Sequence, residues 1–539
     1  METNLTSKQL GHLGLVAGMF DELNIGNIID ENIPLSKSNR NVSAGECVKA
    51  FVLIGLGFIQ RALYLTPQHL SYTSLDKLFG RDIDVEYFND DVMGHTLDRL
   101  YECGTTELFS KISSVACQKL SLDSHFMHID STSIHTDGVH NSNSEVEVGV
   151  IKLTKGYSRD HRPELNQVIL NLIVENKAGI PVLMEAASGN NSDKTDFPRI
   201  VNNLSSGLTN PNITEYIVSD SALYTKKGIE KISTNWKWIT RVPETLKMTK
   251  EVILATNLEN MKEINDKYKY IECNKTYADV EQRWLVVFSK DAYKREIKTL
   301  EKNLLKNTNK EMKAFSSLKI EEFACEKDAM ASLDKFKKKC SLLEIDSIEI
   351  IQNAKFNGKG RPKKDAKPDY FTYQISGSVS VSIEKKEKLE SKKGFFIIAT
   401  NETDKEKLSA KELFEAYKNQ GKVERGFRFL KDPQFMASTL FLKNPKRIEA
   451  LMMIMTLSLL VYAALEYRTR QLLKENNETF PNQLKKDIQN PTMRWIFFCF
   501  KGIDVLYIAD KKESMVLNLK SEHEKIIRLL GANFENKYY

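Results

Sequence analysis

Two aspartates stand at the ends of short apolar runs, in Phe126-Met-His-Ile-Asp130 and in Tyr216-Ile-Val-Ser-Asp220. Aspartate is depleted within strands, and an ionised carboxylate beside a hydrophobic core is costly unless a cation compensates it. Taken singly, each is typical of a strand-end residue that caps neighbouring backbone. Taken together, 90 positions apart and joined by a predicted strand and helix crossover, they could face each other on adjacent strands and share a divalent metal ion.

A third carboxylate, Glu424, lies on a predicted helix. Intervals of 3, 4, 4 and 3 place five polar or charged residues on one stripe of that helix: Tyr417, Gln420, Glu424, Arg428 and Lys431. The adjoining stripe is apolar and consists of Ala416, Val423, Phe427 and Leu430. One stripe is therefore predicted to pack and its neighbour to carry function. The alternative is a solvated charged face with routine pairing between Glu424 and Arg428 at four-residue spacing.

Length and composition place these residues in an ordinary globular protein. The chain has 539 residues, of which 41% are hydrophobic and 28% charged, which suits two to four domains and excludes a disordered or fibrous protein. The formal net charge of +6 is small, but residues 354–393 hold eleven Lys or Arg against five Asp or Glu. Positive charge is thus concentrated in one segment that could hold DNA.

Cysteine usage and hydropathy indicate the compartment. The seven cysteines are odd in number and never form a CxxC pair, so neither a disulfide framework nor a zinc site is predicted, and a reducing compartment, most simply the cytoplasm, is expected. Residues 1–12 lack the positive start of a signal peptide. The longest uncharged run, residues 450–465, has 16 residues against the roughly 20 that a membrane span needs, so we predict a buried core helix and no membrane partner.

Hydrophobic periodicity predicts the elements that must position the carboxylates. Residues 1–120 show helical spacing and are predicted to form a separate helical N-terminal domain. From residue 121 to 244, five strands near 126–130, 167–175, 180–186, 216–219 and 237–242, with helices over 197–208 and 226–233, predict a mixed α/β sheet covered by helices.

The second half of the chain is predicted to interrupt this sheet and then to complete it. Residues 245–393 have mixed character, with a helical stretch over 295–343 and a strand over 371–383, and are predicted to form an α+β insertion. A strand over 394–400 then leads to a capping box, Ser409 and Glu412, which starts one helix that runs to residue 430 or 431. The segment 394–470 is the predicted second part of the core, and 471–539 a C-terminal helical region.

These motifs together resemble a known family. The stripe resembles the Y-x2-R-x3-E-x6-K signature of the insertion-sequence-four superfamily of DDE transposases, with Gln420 where the signature has Arg. The segment Ser219-Asp-Ser-Ala-Leu-Tyr224 looks like the second-Asp motif of that group. Other matching segments are Gly156-Tyr-Ser-Arg-Asp-His-Arg-Pro-Glu-Leu165, Gly189-Asn-Asn-Ser-Asp193 and Val423-Glu-Arg-Gly-Phe-Arg-Phe-Leu-Lys-Asp-Pro433. The resemblance extends from about residue 5 to the C-terminus, in the subgroup with a large insertion before the catalytic Glu.

The resemblance implies a ribonuclease-H-like core in which Asp130, Asp220 and Glu424 are both catalytic residues and metal ligands. It implies two Mg²⁺ or Mn²⁺ ions, with Asp130 bridging them and Asp220 and Glu424 holding one each. Around them, residues on the stripe would hold the phosphates that flank the cut: Tyr417, Gln420, Arg428 and Lys431. Gln brings no charge, so a phosphate role at position 420 would pass to Lys422, Arg425 or Arg428.

Other residues carry weaker predictions. Asp193 and Asp196 are second choices for metal contact, and His128 either touches the site or is a satisfied core histidine. The segment Gly358-Lys-Gly-Arg361-Pro-Lys363-Lys364 resembles an AT-hook core, which binds a narrow minor groove, with a basic loop as the alternative. Both interpretations assign DNA contacts to Arg361, Lys363 and Lys364.

The expected function is therefore DNA transposition, by metal-dependent cleavage and strand transfer at the ends of a bacterial insertion sequence. The expected partner is double-stranded DNA, both terminal inverted repeats and target, bound by a homodimer. The resemblance implies that the N-terminal domain over residues 1–120 is DNA-binding and reads the terminal inverted repeats. Two alternatives stay open, which are a catalytically silent DNA-binding protein derived from a transposase and a ribonuclease-H-like nuclease without strand transfer.

Overall fold

The protein is described by a computed structural model that covers residues 5–34, 41–58, 65–122, 125–136, 149–207, 216–357, 367–432, 442, 444–508 and 513–539. Arg361, Lys363 and Lys364, which carry the predicted minor-groove motif, lie outside these residues. The chain forms two compact units. The first comprises Met1–Arg241, Thr276–Gln282 and Thr400–Tyr539, and the second comprises Val242–Lys275 and Arg283–Ala399.

The first unit begins with a strand, β1 (Leu5–Gln9), followed by helices. These helices are α1 (Leu13–Glu22), α2 (Ile25–Asn32), α3 (Ala44–Leu56), α4 (Thr66–Leu70), α5 (Leu75–Phe79), α6 (Asp90–Cys103) and α7 (Thr105–Lys119). The predicted helical character of this region is confirmed. A capping box of Ser43 and Glu46 starts α3, whose residues are almost all buried.

The sheet that follows contains the strands predicted from the change of period. Its elements are β2 (Phe126–Thr136), β3 (Asn166–Glu175), β4 (Pro181–Ser188), α8 (Asp193–Gly207), β5 (Tyr216–Ser219), α9 (Lys226–Ser233) and β6 (Lys237–Arg241). The strand order is β4-β3-β2-β5-β6. β2 pairs antiparallel with β3 and parallel with β5, so the predicted mixed sheet is confirmed.

The second unit contains a sheet, a long helical pair and a long hairpin. Its elements are α10 (Lys247–Ala255), β7 (Lys262–Asn265), β8 (Tyr268–Tyr277), β9 (Val280–Ser289), α11 (Lys290–Ile320), α12 (Glu326–Lys339), β10 (Leu343–Lys355), β11 (Tyr370–Val381), α13 (Ile383–Glu390) and β12 (Phe395–Thr400). β12, β9, β8 and β7 are neighbours in that order. β10 and β11 form an antiparallel hairpin, against which α11 and α12 pack through a small core that includes Phe315, Leu333 and Ile375.

The remaining elements return to the first unit. They are α14 (Ala410–Lys418), α15 (Gly421–Leu430), α16 (Pro445–Glu475), β13 (Phe480–Pro481), β14 (Asp487–Ile488), α17 (Met493–Cys499), β15 (Asp504–Ile508), β16 (Glu513–Leu517), α18 (Ser521–Leu530) and α19 (Ala532–Tyr538). α16 is long and apolar enough to span a membrane by length and composition, but 89% of its most apolar window is buried within the protein, as expected of a core helix.

One hydrophobic core joins the two ends of the first unit. It contains α1, α3, α6 and α7 from the N-terminal region, and α16, α18 and α19 from the C-terminal region. β1 pairs with β15, and the Tyr538 hydroxyl donates to the Gly11 carbonyl at 2.7 Å. Residues 1–120 therefore share their core with the C-terminal helices. The predicted division of the chain into five segments stays a prediction about domain boundaries.

Candidate functional site

Asp130 and Asp220 lie on neighbouring parallel strands. The register of β2 and β5 pairs His128 with Val218, and Asp130 and Asp220 each follow two residues later. Asp220 comes directly after β5, as predicted. Asp130 does not end its strand, since β2 continues to Thr136 and pairs with β3 throughout. The prediction of a strand end at residue 130 was wrong because only the apolar run stops there, while Ser131, Thr132 and Ser133 remain buried in the strand.

The two carboxyl groups share a strongly negative environment. Burial raises the pKa of Asp130 to about 7, and the neighbouring carboxylates of Asp220 and Asp193 act in the same direction against the guanidinium of Arg159. Burial also raises the pKa of Asp220, with Asp193 adding to the effect. The Asp220 carboxylate accepts one backbone hydrogen bond, from the N–H of Ala222 at 2.8 Å. The charged form of each acid is therefore disfavoured in the protein alone, and a bound cation would relieve this cost.

Arg159 supplies the positive charge at this place. Its guanidinium forms an ion pair with the Asp193 carboxylate and lies 3.8 Å from Asp130. The Ser131 hydroxyl also donates to Asp193, which ties the first turn of α8 to β2. Asp193, predicted as a second choice for metal contact, is thus next to the two main carboxylates. Asp196 instead accepts from Asn191 and pairs with Arg199.

Two glycines allow Arg159 and Asp193 to meet. A Cβ on Gly156 would lie 2.0 Å from the carbonyl oxygen of Gly189, and a Cβ on Gly189 would lie 2.1 Å from the carbonyl oxygen of Gln167. Only glycine permits such a close approach of backbones. The Gln167 amide donates to the Gly189 carbonyl at 2.7 Å and so fixes this contact. The close approach of the Gly156 and Gly189 segments therefore brings Arg159 and Asp193 together.

The predicted Glu424 helix is broken into two. The capping box of Ser409 and Glu412 is confirmed, with the Ser409 N–H donating to the Glu412 carboxylate at 2.9 Å. α14 then ends at Lys418, and α15 starts at Gly421. Helix propensity around Asn419-Gln-Gly421 is low, because Gly and Asn favour helix ends. The single helix from 409 to 430 that we predicted was wrong in this respect.

The stripes of this helical pair keep their predicted characters. Ala416, Val423, Phe427 and Leu430 are all buried, which confirms the apolar stripe. On the other stripe Glu424 and Arg428 are exposed. Gln420 is only 8% exposed, so a direct contact between its amide and DNA would need local opening of the helix break.

The Tyr417 phenol is influenced by the charges of both Glu424 and Asp220. Burial raises the pKa of the Tyr417 phenol, the carboxylates of Asp220 and Glu424 raise it further, and Arg241 opposes them by charge and by a hydrogen bond. Both carboxylates therefore act electrostatically on the same hydroxyl. The phenol stays protonated at neutral pH and can donate a hydrogen bond.

Lys431 is engaged within the protein. Its ammonium donates to both oxygens of the Asp160 carboxylate, at 2.7 and 2.8 Å, and the His135 ring lies 3.8 Å from the same carboxylate. Asp160 directly follows Arg159, so two consecutive residues of one loop neutralise Asp130 and Lys431.

Asp130, Asp193 and Asp220, with the Arg159 and Asp160 loop, form what we call the carboxylate centre. His128 does not take part in it. Its ring is fully buried, Nε2 lies 2.9 Å from the Asn176 side-chain oxygen, and burial lowers its pKa to about 4. This neutral ring is a core histidine, as in the second of the two predicted interpretations, but it is only half satisfied, because the buried Nδ1 has no hydrogen-bond partner among the described residues. The nearby ammonium of Lys422 donates to backbone carbonyls of Asn176 and Lys177, which holds α15 on the β3–β4 turn.

Comparison with known proteins identifies the family. The transposase DDE domain matches residues 122–461, and a domain of unknown function, DUF4277, matches residues 5–114. The first match covers more than half of the chain and includes all three predicted carboxylates. The chain belongs to the DDE transposase family. A ribonuclease-H-like fold is what this family match implies for the sheet of the first unit.

Other comparisons add little to the family match. Among solved structures, a piggyBac transposase synaptic complex with hairpin DNA has 9% identity and a TM-score of 0.36, over 100% of this chain and 88% of that one. A Mos1 mariner paired-end complex with Mn has 12% identity and a TM-score of 0.15, over 33% and 59%. At these TM-scores, neither structure supports an inference about this chain. A comparison with curated proteins found no match.

The donor set of this DDE transposase suits hard divalent cations. Asp130 and Asp220 offer carboxylate oxygens whose negative charge burial disfavours, and Mg²⁺ and Mn²⁺ prefer such oxygens. Among the described residues, no three His, Cys, Asp or Glu side chains are already close enough to form a metal centre.

Sequence reasoning missed the functional position of Arg159 and Asp160 in this transposase. Both lie in the quoted Gly156 segment, and a signal was present, because two opposite charges stand side by side in a segment that begins with glycine. What the sequence does not contain is the identity of their partners, since Asp193 and Lys431 are 34 and 271 positions away.

Proposed function

We propose that this chain is an active transposase that cleaves and joins DNA at the ends of a bacterial insertion sequence, with Asp130, Asp220 and Glu424 as its catalytic carboxylates. The observation that carries the proposal is the parallel register of β2 and β5, which brings Asp130 and Asp220 to the same level of adjacent strands. The effect of both Asp220 and Glu424 on the Tyr417 phenol supports the third member.

The three carboxylates would hold two Mg²⁺ or Mn²⁺ ions. When bound, these ions would supply an activated water or 3′-hydroxyl and neutralise the charge that develops on the phosphate in the transition state. Asp130 is the most enclosed of the three and the one whose pKa burial raises furthest, to about 7. It therefore gains most from a neighbouring cation, which agrees with the bridging position that the family resemblance implies.

The chain's own residues would hold the DNA strand. The protonated Tyr417 hydroxyl can donate to a phosphate oxygen beside the cut, and the exposed Arg428 and the Lys431 ammonium can neutralise flanking phosphates. Gln420, which stands where the family signature has Arg, is buried at the helix break, so we assign the phosphate contact to Arg428. A dimer that binds two element ends would complete the reaction.

Cleavage of a labelled duplex that carries the inverted repeats flanking the gene tests this proposal. With Mg²⁺ we expect strand nicking at the element end and joining to a target plasmid, and no reaction with EDTA. Glu424→Ala should lower the nicking rate at least about 1000-fold, because a transition-state charge loses its stabilisation. Glu415→Ala, at an exposed position of α14, is the matched control and should cleave normally.

The same assay separates the alternatives. A wild-type protein that binds the ends but does not nick in Mg²⁺ is a silent DNA-binding protein. Nicking without joining identifies a nuclease. Normal cleavage by Glu424→Ala contradicts the assignment of the third carboxylate.

A further inference from the structure

The 31-residue helix α11 carries a one-sided arrangement of positive charge. It contains nine Lys or Arg against four Asp or Glu. Six of the basic residues recur at intervals of 3, 4, 4, 4 and 3, and we call them the basic stripe: Arg295, Lys298, Lys302, Lys306, Lys310 and Lys313. At 3.6 residues per turn these positions fall within an arc of about 120°. Phe315 and Leu318, which are buried in the core of the second unit, lie on the opposite side of the helix.

The basic stripe has no ion-pair partner within the described residues. All six side chains are exposed, and none forms an ion pair there. Of the four acidic residues of α11, Glu301 is exposed beside the stripe, and the other three are engaged. Asp291 pairs with Lys267 at 3.5 Å, Glu296 accepts from the Gly394 N–H, and Glu311 accepts from Ser341 and Leu342.

This arrangement does not stabilise the helix itself. Like charges four residues apart destabilise a helix by about 0.2–0.5 kcal/mol per pair, and Lys298, Lys302, Lys306 and Lys310 form three such pairs in succession. On the same face, Asn309 is exposed and its amide can donate hydrogen bonds, whereas the hydroxyls of Thr299 and Ser316 donate to the Arg295 and Met312 carbonyls of the helix itself. An anionic partner would turn the repulsion into attraction.

The dimensions of the basic stripe fit a nucleic acid backbone. From Arg295 to Lys313 the helix rises about 27 Å at 1.5 Å per residue. A DNA strand carries one phosphate about every 3.4 Å of axis. Because each strand winds around the axis and the stripe is straight, the stripe can reach several phosphates on one side of a duplex. Lysine is a point charge that binds phosphate without reading bases, and five of the six residues are lysines.

We propose that the basic stripe of α11 is a DNA-backbone contact that is independent of base sequence. This inference rests on the proposed function, because that function makes DNA the anionic partner. It adds a DNA-contact surface in the second unit to the two already named, the carboxylates and the basic segment 354–393. The stripe would contribute to affinity for any duplex, while recognition of element ends would depend on other residues.

The test compares two full-length variants that each lose four positive charges. The stripe variant is Lys298→Gln, Lys302→Gln, Lys306→Gln and Lys310→Gln. The matched control carries Lys327→Gln, Lys335→Gln, Lys338→Gln and Lys339→Gln, at exposed positions of α12 in the same unit. Binding of a 30-base-pair duplex is measured by fluorescence anisotropy between 50 and 200 mM salt, with an element-end sequence and with a scrambled one.

The stripe variant should bind both duplexes at least about 10-fold more weakly at 100 mM salt. Its plot of log affinity against log salt should be shallower by about 3.6 if all four lysines contact phosphates, since each lost contact removes about 0.9 from the slope. The control should change by less than about 2-fold. Circular dichroism should show unchanged helix content, and thermal unfolding should show equal or higher stability in the stripe variant.

Three results would overturn the inference. Equal losses of DNA affinity in the stripe and control variants would show that affinity depends only on the net charge of the protein. An unchanged slope would show that α11 does not touch phosphates. Lost binding to anionic phosphatidylserine vesicles with unchanged DNA binding would make the partner a membrane. If the wild type nicks element ends while the stripe variant binds normally, only the inference fails; if the wild type binds no duplex, the proposed function fails with it.

Discussion

The carboxylate centre and the basic stripe of α11 differ in whether their charged side chains have ion-pair partners. In the carboxylate centre, Arg159 neutralises Asp130 and Asp193, and Asp160 neutralises Lys431. On the stripe, the lysines have no ion-pair partner among the described residues. Under the proposed function, cations and DNA would replace internal partners in the carboxylate centre, whereas DNA would bind the stripe without displacing an ion-pair partner.

The largest effect on this contrast should come from Arg159→Ala. Without the guanidinium, Asp130 and Asp193 repel each other in a partly buried place, so the protein in EDTA should lose about 1–3 kcal/mol of unfolding free energy. Mg²⁺ at millimolar concentration should restore most of this loss, because a cation takes the place of the guanidinium. Thermal unfolding with and without Mg²⁺ measures both effects.

Arg199→Ala is the matched control for that experiment. Arg199 pairs with Glu185 at 2.5 Å on α8 and β4, so its loss should also destabilise the protein, but Mg²⁺ should not restore the stability. Equal recovery of both variants in Mg²⁺ would show that the Arg159 position is not where the cation acts.

A smaller effect should follow from Asp160→Asn, which releases Lys431. The pair is partly exposed, with side-chain exposures of 25% and 31%, so its strength should be about 0.2–1 kcal/mol. DNA affinity should therefore rise by about 2- to 5-fold, because the Lys431 ammonium no longer has to give up its ion pair with Asp160 when DNA binds. Asp432→Asn, which removes the neighbouring partner of Arg494, should leave the affinity unchanged, and a fall in affinity for Asp160→Asn would mean that Asp160 instead holds Lys431 in position for DNA.

Local signals predicted much of the fold. The capping box of Ser409 and Glu412, the helix over Lys226–Ser233 and the strand that ends before Asp220 depend on residues a few positions apart, so the sequence contains their causes. The apolar stripe of α15 was predictable for the same reason. The hairpin strand Leu343–Lys355 was not predicted, because a register shift between Ile345 and Ser347 interrupts the alternation that puts Ile345, Ile348 and Ile350 on one face.

Interactions between distant segments were not predictable. Asp130 lies in mid-strand because β3 continues the pairing beyond the apolar run, and that pairing is a tertiary event. The ion pairs of Arg159 and Asp160 depend on the close approach of Gly156 and Gly189, which a single sequence does not show. The three carboxylates could be predicted as candidates because each has a distinctive local context, whereas the side chains that neutralise their surroundings do not.

Cation binding tests the central claim most directly. Mn²⁺ titration, followed by electron paramagnetic resonance in the presence of an element-end duplex, would count the ions that wild type, Asp130→Asn, Asp220→Asn and Glu424→Gln each bind. We predict two ions for the wild type and the loss of at least one in each variant, with the greatest loss in Asp130→Asn. If all four proteins bind the same number of ions with the same affinity, these carboxylates do not hold the catalytic metal.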